Sequence, residues 1–197
     1  MTSGSRLSVS DEGQAMQGRE ILVAVTGGIA AYKAAYLVSR LTQAGAGVSV
    51  MMTESAEKFV GPATFAALTG RSVARHSFDP DQHPLGAHIE RTRNIDLFCV
   101  VPATAGFLAN AAAGIADDLV STSYLAAPCP VLVAPAMNSR MWDHPAVQRN
   151  VAALRQDGVH FVDPASGWLA CRDSGAGRMA EPDLILEAIS RLLPPQA

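Results

Sequence analysis

The sequence predicts an α/β protein of three layers, with helices on both faces of a mostly parallel central sheet. Three observations carry that prediction. Short, purely apolar and partly β-branched runs recur along the chain, as strands buried on both faces require. Stretches of helical periodicity separate them, and strands alternating with helices build parallel β-α-β units. The strand-to-helix junctions, finally, share a composition of small residues, hydroxyls and prolines.

Ile21 to Val25 is the first such run, bounded by Thr26-Gly27-Gly28. A helix is expected from Ala30 to Ala44, because Ala31, Ala34, Ala35, Val38 and Leu41 share one face and Gly45 stands at a helix C-terminus. Val48 to Met52 reads as the second strand. Leu97 to Val101 reads as a buried strand closed by Pro102, with an Ala-rich helical stretch after it. Val131 to Ala134 is a further strand, closed by Pro135. A helix from about Pro145 to Gln156 ends at Gly158, Val159 to Val162 is the last strand, and an amphipathic helix spans Pro182 to Leu193. No repeat or linker divides the chain, so residues 19–197 are expected to form a single domain. Residues 1–18 are polar, rich in Ser and Gly and without periodicity, which predicts a disordered tail.

Composition narrows the function. A chain of 197 residues with 49% hydrophobic and 17% charged residues has the make-up of a globular protein. A net charge of -3 without a basic stripe offers no footprint for nucleic acid. No apolar run is long enough to cross a membrane, and no signal-peptide pattern is present. Cys99, Cys129 and Cys171 fit neither a zinc motif nor a disulfide framework, so no metal site is expected and the compartment is read as reducing and cytoplasmic.

In a parallel sheet every strand-to-helix junction emerges at the carboxyl edge, where ligands bind. The junctions are Thr26-Gly27-Gly28-Ile29, Thr53-Glu54-Ser55, Pro102-Ala103-Thr104-Ala105-Gly106 and Pro135-Ala136-Met137-Asn138. Small residues let a ligand approach backbone N–H groups, and helix N-termini favour phosphate. The first junction departs from G-x-G-x-x-G, and Met51-Met52-Thr53 supplies no acidic residue for a ribose, which argues against a dinucleotide. Lys33 lies too far along its helix, and outside any G-K-[ST], to be a P-loop lysine. A mononucleotide with one terminal phosphate fits, and the residues alone do not choose FMN among such ligands.

Four segments resemble the flavin-containing cysteine decarboxylases of the flavoprotein superfamily: "TGGIAAYKA" from Thr26, "PATAGF" from Pro102, "PAMNSRMW" from Pro135, and "LACRDSGAGRMAE" from Leu169. The third matches the family pattern Pro-x-Met-Asn-x-x-Met-Trp at every fixed position. The resemblance implies a Rossmann-like, flavodoxin-like fold and FMN as cofactor. It implies cofactor contacts from Gly28, Ile29, Ala30, Thr53, Thr104, Ala105, Gly106, Phe107 and Met137, and substrate contacts from Asn138, Met141, Arg178 and Met179. His88, in "AHIE", matches the active-site histidine, Asn138 the residue that holds the substrate carboxylate, and Cys171 the clamp cysteine. His76, His83, His144 and His160 receive no role.

The implied reaction is decarboxylation of a cysteine conjugate, with phosphopantothenoylcysteine expected as substrate and phosphopantetheine, a coenzyme A precursor, as product. A cysteine carboxylate loses carbon dioxide only once a neighbouring group can accept the electrons. Oxidation of the thiol to a thioaldehyde provides that sink, and this is why a redox cofactor serves a reaction of no net redox change. His88 could act as a base near neutral pH. A thiol with an ordinary pKa of about 8.5 stays mostly protonated, so Cys171 could deliver the final proton. Gly167, Gly175 and Gly177 suggest a lid over the substrate, with Arg178 as candidate anchor for its phosphate.

Three departures qualify the resemblance. Gly106 stands where the family often has Asn. Arg172 follows Cys171 where Gly is usual, and a guanidinium there would lower the thiol pKa. The chain also ends at "LLPPQA", whereas many relatives continue into a ligase domain. A peptidyl-cysteine decarboxylase of peptide-antibiotic maturation and a non-catalytic regulatory flavoprotein are the alternatives. The resemblance further implies a homotrimer, or a dodecamer of trimers, with FMN and substrate at subunit interfaces.

Overall fold

The computed structural model describes residues 16–79, 81–168 and 174–194. Five strands, β1 (Glu20–Val25), β2 (Gly47–Met52), β3 (Leu97–Ala103), β4 (Val131–Pro135) and β5 (His160–Phe161), pair in parallel in the order β2-β1-β3-β4-β5. That is the flavodoxin-like arrangement of a Rossmann-type α/β/α fold.

Apolar strands follow from the layering. Ile21, Val23 and Val25 of β1 enter one core, with Ala34, Leu37 and Leu41 of α1 (Ala31–Gln43) and Ile185 and Ile189 of α9 (Pro182–Leu192). Leu22 and Ala24 enter the opposite core, with Phe98 and Val100 of β3, Leu108 of α5 (Ala105–Ala113) and Leu154 of α8 (Pro145–Gln156). Successive side chains point to opposite faces and both faces are covered, so no position in β1 after Glu20 can be polar. Between the major elements lie α2 (Glu54–Glu57), α3 (Pro62–Thr69), α4 (Ala87–Thr92), α6 (Leu119–Ala126) and α7 (Ser139–Trp142), which the periodicity left unassigned.

Several boundaries differ from expectation for identifiable reasons. The first helix starts at Ala31 because Ala30 is its N-cap. Pro102 does not close β3. The strand runs on to Ala103 through an irregularity between Val100 and Ala103, and the Pro102 carbonyl accepts from Thr26 Oγ1 at 2.7 Å. β4 likewise includes Pro135, and the last parallel strand shrinks to His160–Phe161. The fold also begins before residue 19, because Met16 is buried in the first core and its N–H donates to the Ala44 carbonyl. The glycine-studded segment after Asp163 contains an antiparallel hairpin, β6 (Ala165–Trp168) with β7 (Ser174–Arg178).

Candidate functional site

A cleft of about 510 Å³ opens at the carboxyl ends of β1, β3 and β4. Three expected junctions meet there: Gly28, Ile29 and Ala30 from the first, Thr104, Ala105 and Gly106 from the third, Met137 and Asn138 from the fourth. Hydrogen bonds from two residues fix the spacing of the first and third. Thr26 Oγ1 donates to the Pro102 carbonyl and accepts from the Thr104 N–H at 3.1 Å. The Ala136 N–H donates to Ala103, aligning the fourth with the third.

The first junction is an open helix start. Among the described residues the N–H groups of Gly28, Ile29 and Ala30 meet no acceptor, while the Ala31 N–H turns back to Gly28. A Cβ at Gly28 would meet nothing within 4 Å, and one at Gly106 only Thr104 Oγ1 at 3.9 Å. Free donors at the start of a helix of 13 residues, beside glycines that keep the space open, fit a phosphate.

Asn138 caps α7, its Oδ1 accepting from the Met141 N–H at 2.8 Å. Capping uses the amide oxygen and leaves the NH₂ donors to a ligand. Met141, one turn on, also lines the cleft. The far wall is the hairpin, which supplies Gly177, Arg178 and Trp168, with Met179 beyond it. Its backbone lies flush against the β4–α7 turn. The Met137 N–H donates to the Gly177 carbonyl at 2.9 Å, and a Cβ at Gly177 would come 2.4 Å from the Met137 carbonyl oxygen. Gly177 has φ +122, and Gly175 would place a Cβ 2.8 Å from Ser139 Cβ. Gly175 and Gly177 are therefore required by close approach of the backbone to the β4–α7 turn.

Lys33 lines the same cleft, almost fully buried. Its Nζ lies 3.1 Å from both carboxylate oxygens of Glu181 and 3.5 Å from the Met179 carbonyl. Glu181 also accepts from Arg178 Nη2. The Lys33 hydrogen bond first, and then that of Arg178, holds the Glu181 carboxyl below its ordinary range. Sequence reasoning missed Lys33, Tyr32 and Trp168 as lining residues. For Lys33 a signal existed: it stands four residues after Ile29, one helical turn, and so on the face that carries the open junction.

Other expected residues lie elsewhere. Thr53 is the N-cap of α2, its Oγ1 accepting from the Ala56 N–H, and it does not line the cleft. Phe107 is buried in the second core, edge-on to Tyr124 with ring centroids 5.9 Å apart, because the third residue after the Thr104 cap faces the sheet. His88 is half-buried on α4, outside this cleft. Cys171 and Arg172 fall outside the described residues. Burial pushes the Cys99 thiol up to about 12 and the Cys129 thiol up to about 11, so both stay protonated at neutral pH. Among the described residues no cluster of metal-binding side chains occurs, and no helix is long and apolar enough to cross a membrane.

Comparison with known proteins agrees with this geometry. The chain is 48% identical over 172 residues to the coenzyme A biosynthesis bifunctional protein CoaBC of Bacillus subtilis, covering 87% of this chain and 42% of that protein. It is 49% identical over 175 residues to the CoaBC of Mycolicibacterium smegmatis, with 89% and 42% covered. The chain thus spans less than half the length of the curated relatives it matches. Among solved structures, a PPC decarboxylase mutant complexed with pantothenoylaminoethenethiol superposes with a TM-score of 0.79 at 29% identity, covering 90% of this chain and 99% of that one. The FMN-dependent cysteine decarboxylase SpaF gives 0.74 at 34% identity, with 89% and 97% covered. Residues 9–193 match the Flavoprotein family, and with the sheet order, the open helix start and the Asn138 turn in place, the chain belongs to that family.

Proposed function

We propose that this protein binds FMN in the cleft and decarboxylates phosphopantothenoylcysteine to phosphopantetheine, the step of coenzyme A synthesis that its CoaBC relatives and the PPC decarboxylase structure point to. The observation that carries the reading is the convergence on one cleft of an open helix N-terminus, a small-residue second wall and the Asn138-Met141 turn. The N–H groups of Gly28, Ile29 and Ala30 would take the FMN phosphate. Thr104, Ala105, Gly106 and Met137 would bound its ring system. FMN, when bound, supplies a two-electron acceptor for the thiol carbon and returns those electrons after carbon dioxide has left.

The chain's own groups do the rest. Asn138 donates its free NH₂ to the substrate carboxylate. A neutral amide orients that group without an ion pair that would oppose its departure. Met141 and Met179 present apolar surface that keeps water from the thioaldehyde. Arg178 anchors the substrate phosphate, and Cys171 delivers the last proton. Thr53, the cap of α2, and Phe107, in the second core, are not among the residues that line the cleft.

His88 acts from a neighbouring copy. It lies outside its own chain's cleft, and Leu85 and Ile89, three residues before it and one after, expose large apolar side chains, as does Phe78 at 94%. Tyr32 and Tyr36 of α1 are exposed beside the cleft as well. Such a surface fits a homo-oligomer, a trimer or a dodecamer of trimers, and the cysteine pattern is the support for a reducing, cytoplasmic compartment.

A second reading, decarboxylation of a different cysteine conjugate such as a peptidyl cysteine, fits the 34% identity to the FMN-dependent cysteine decarboxylase SpaF. The test is to record the visible spectrum of the purified protein and then add each substrate anaerobically, following carbon dioxide and product mass. A yellow protein that converts phosphopantothenoylcysteine supports the first reading. Conversion of a cysteine-terminated peptide alone supports the second, and a colourless protein that cannot be reconstituted with FMN overturns both.

A further inference from the structure

His83 received no role from the sequence, yet it is the buried residue of the turn that leads into α4. Its Nδ1 lies 3.0 Å from Glu90 Oε2. The other carboxylate oxygen, Glu90 Oε1, accepts the Leu85 N–H at 2.9 Å. Glu90 therefore folds back over one turn of helix and closes the His83–Gly86 turn onto the start of α4. On its far side the imidazole meets Arg91, whose Nη2 is 3.5 Å from His83 Nε2 and donates to the Ser72 carbonyl and Oγ. A guanidinium only donates, so Nε2 is the acceptor and the proton resides on Nδ1, facing Glu90. The Leu85 N–H first, and then His83, holds the Glu90 carboxyl below its ordinary range.

This clamp bears on His88 through Gly86. Gly86 is the N-cap of α4, with φ +94 and no side chain to cap with. A Cβ on Gly86 would lie 3.2 Å from His88 Cε1 and 3.5 Å from its Nδ1, so the His88 ring rests directly over the Gly86 backbone. The described residues offer the His88 ring no hydrogen bond. Thr92 Oγ1 donates to the His88 carbonyl at 2.6 Å and to the Ile89 carbonyl at 3.5 Å, not to the ring. The ring thus lies against Gly86, and Glu90 and His83 close the turn that contains this residue, the Gly86 N–H donating to the His83 carbonyl.

We propose that Glu90, acting with His83, is a positioning residue that holds the Gly86 turn beneath the His88 imidazole and so aims it at the substrate. The proposal rests on the reading of His88 as the base of the reaction. Misplacing such a group by about 1 Å costs about 100-fold in rate, and a loosened turn should cost somewhat less.

The test uses the FMN-loaded oligomer and four variants, Glu90→Ala, Glu90→Gln, His83→Ala and the Glu90→Ala/His83→Ala double variant, with His88→Asn as control. Glu90→Ala is expected to lower kcat by roughly 10-fold or more, with KM and FMN content unchanged. Glu90→Gln should recover part of the loss, since its amide oxygen can still accept from Leu85. The double variant should be no slower than the slower single, because both residues hold one turn. Histidine-selective NMR gives a readout independent of turnover: the His88 ring signal should shift or broaden in Glu90→Ala while that of His144 stays. If Glu90→Ala keeps kcat and the His88 signal while His88→Asn is inactive, the positioning role is wrong and the His88 reading stands. Loss of FMN together with a raised KM would also overturn it, as general destabilisation. Full activity of His88→Asn would instead remove the underlying reading.

Discussion

The Lys33 ammonium lies 3.1 Å from each carboxylate oxygen of Glu181, and through this contact the first turns of α1 hold the end of the β7 hairpin. The two partners are unequally placed. The Lys33 side chain is 10% exposed and the Glu181 side chain 47%. Removing Glu181 leaves a buried cation unpaired, whereas removing Lys33 leaves a carboxylate that still has water and Arg178. Glu181→Ala should therefore destabilise the protein by about 1–2 kcal/mol, discounted for the exposed partner. Lys33→Met should cost less. Denaturant midpoints of the two variants check the order, and equal losses would contradict it.

The same contact sets a pH dependence. Glu181 has its carboxyl lowered from 4.5 by the Lys33 and Arg178 hydrogen bonds. A depressed folded-state value means the contribution is fully present above the unfolded value and is lost as pH falls through the folded one. The Tm difference between the wild type and Glu181→Gln should hold steady from pH 7 to 5 and shrink as pH drops below about 4.5. A difference that instead grew on acidification would exclude this linkage.

Two glycines of the cleft should respond in opposite ways. Gly28 has open space at its Cβ position, so Gly28→Ala should keep the fold and its melting temperature while reducing FMN content by roughly 10-fold or more through lost cofactor space. Gly177 has φ +122 and a carbonyl oxygen 2.4 Å from its Cβ position, so Gly177→Ala must displace the hairpin. It should lower stability by about 1–3 kcal/mol. Flavin absorbance per subunit and thermal melts separate the two effects.

If His88 completes a neighbour's cleft, two inactive variants should rescue one another. His88→Asn and Asn138→Ala subunits, each expected to lose about 100-fold or more in kcat, should regain activity when dissociated, mixed and reassembled. A mixture as inactive as its parents would place His88 and Asn138 of one chain in the same site.

Arg178 lines the cleft and is engaged by Glu181. Arg178→Ala should raise KM for the phosphorylated substrate about 10-fold or more while leaving that for the dephosphorylated analogue little changed. Equal changes for both would exclude a phosphate contact.

Much of the architecture was legible in the residues. The alternation of apolar runs with helical periodicity placed all five parallel strands, and the Pro145–Gln156 helix matched at both ends because Pro145 starts it and Gly158 follows it. Elements outside that pattern were not legible. α2, α4 and α7 are each no more than six residues long, too short for a helical period to register. The β6–β7 hairpin is rich in glycine and lacks a clear apolar alternation. At the cleft, the positions of Gly28–Ala30, Thr104–Gly106 and Met137–Asn138 could be read because they stand at strand-to-helix junctions, and junctions follow from strand order.

The layers, the buried strands and the carboxyl edge where the junctions gather follow from the amino-acid order, since each depends on local periodicity and on the single hand of β-α-β connections. Folding of the whole chain brings Lys33 to Glu181, 148 residues away, turns Phe107 into the core, and presses Gly177 on Met137. Those outcomes depend on which side chains long-range packing brings within a few ångströms, a distance that no local pattern encodes.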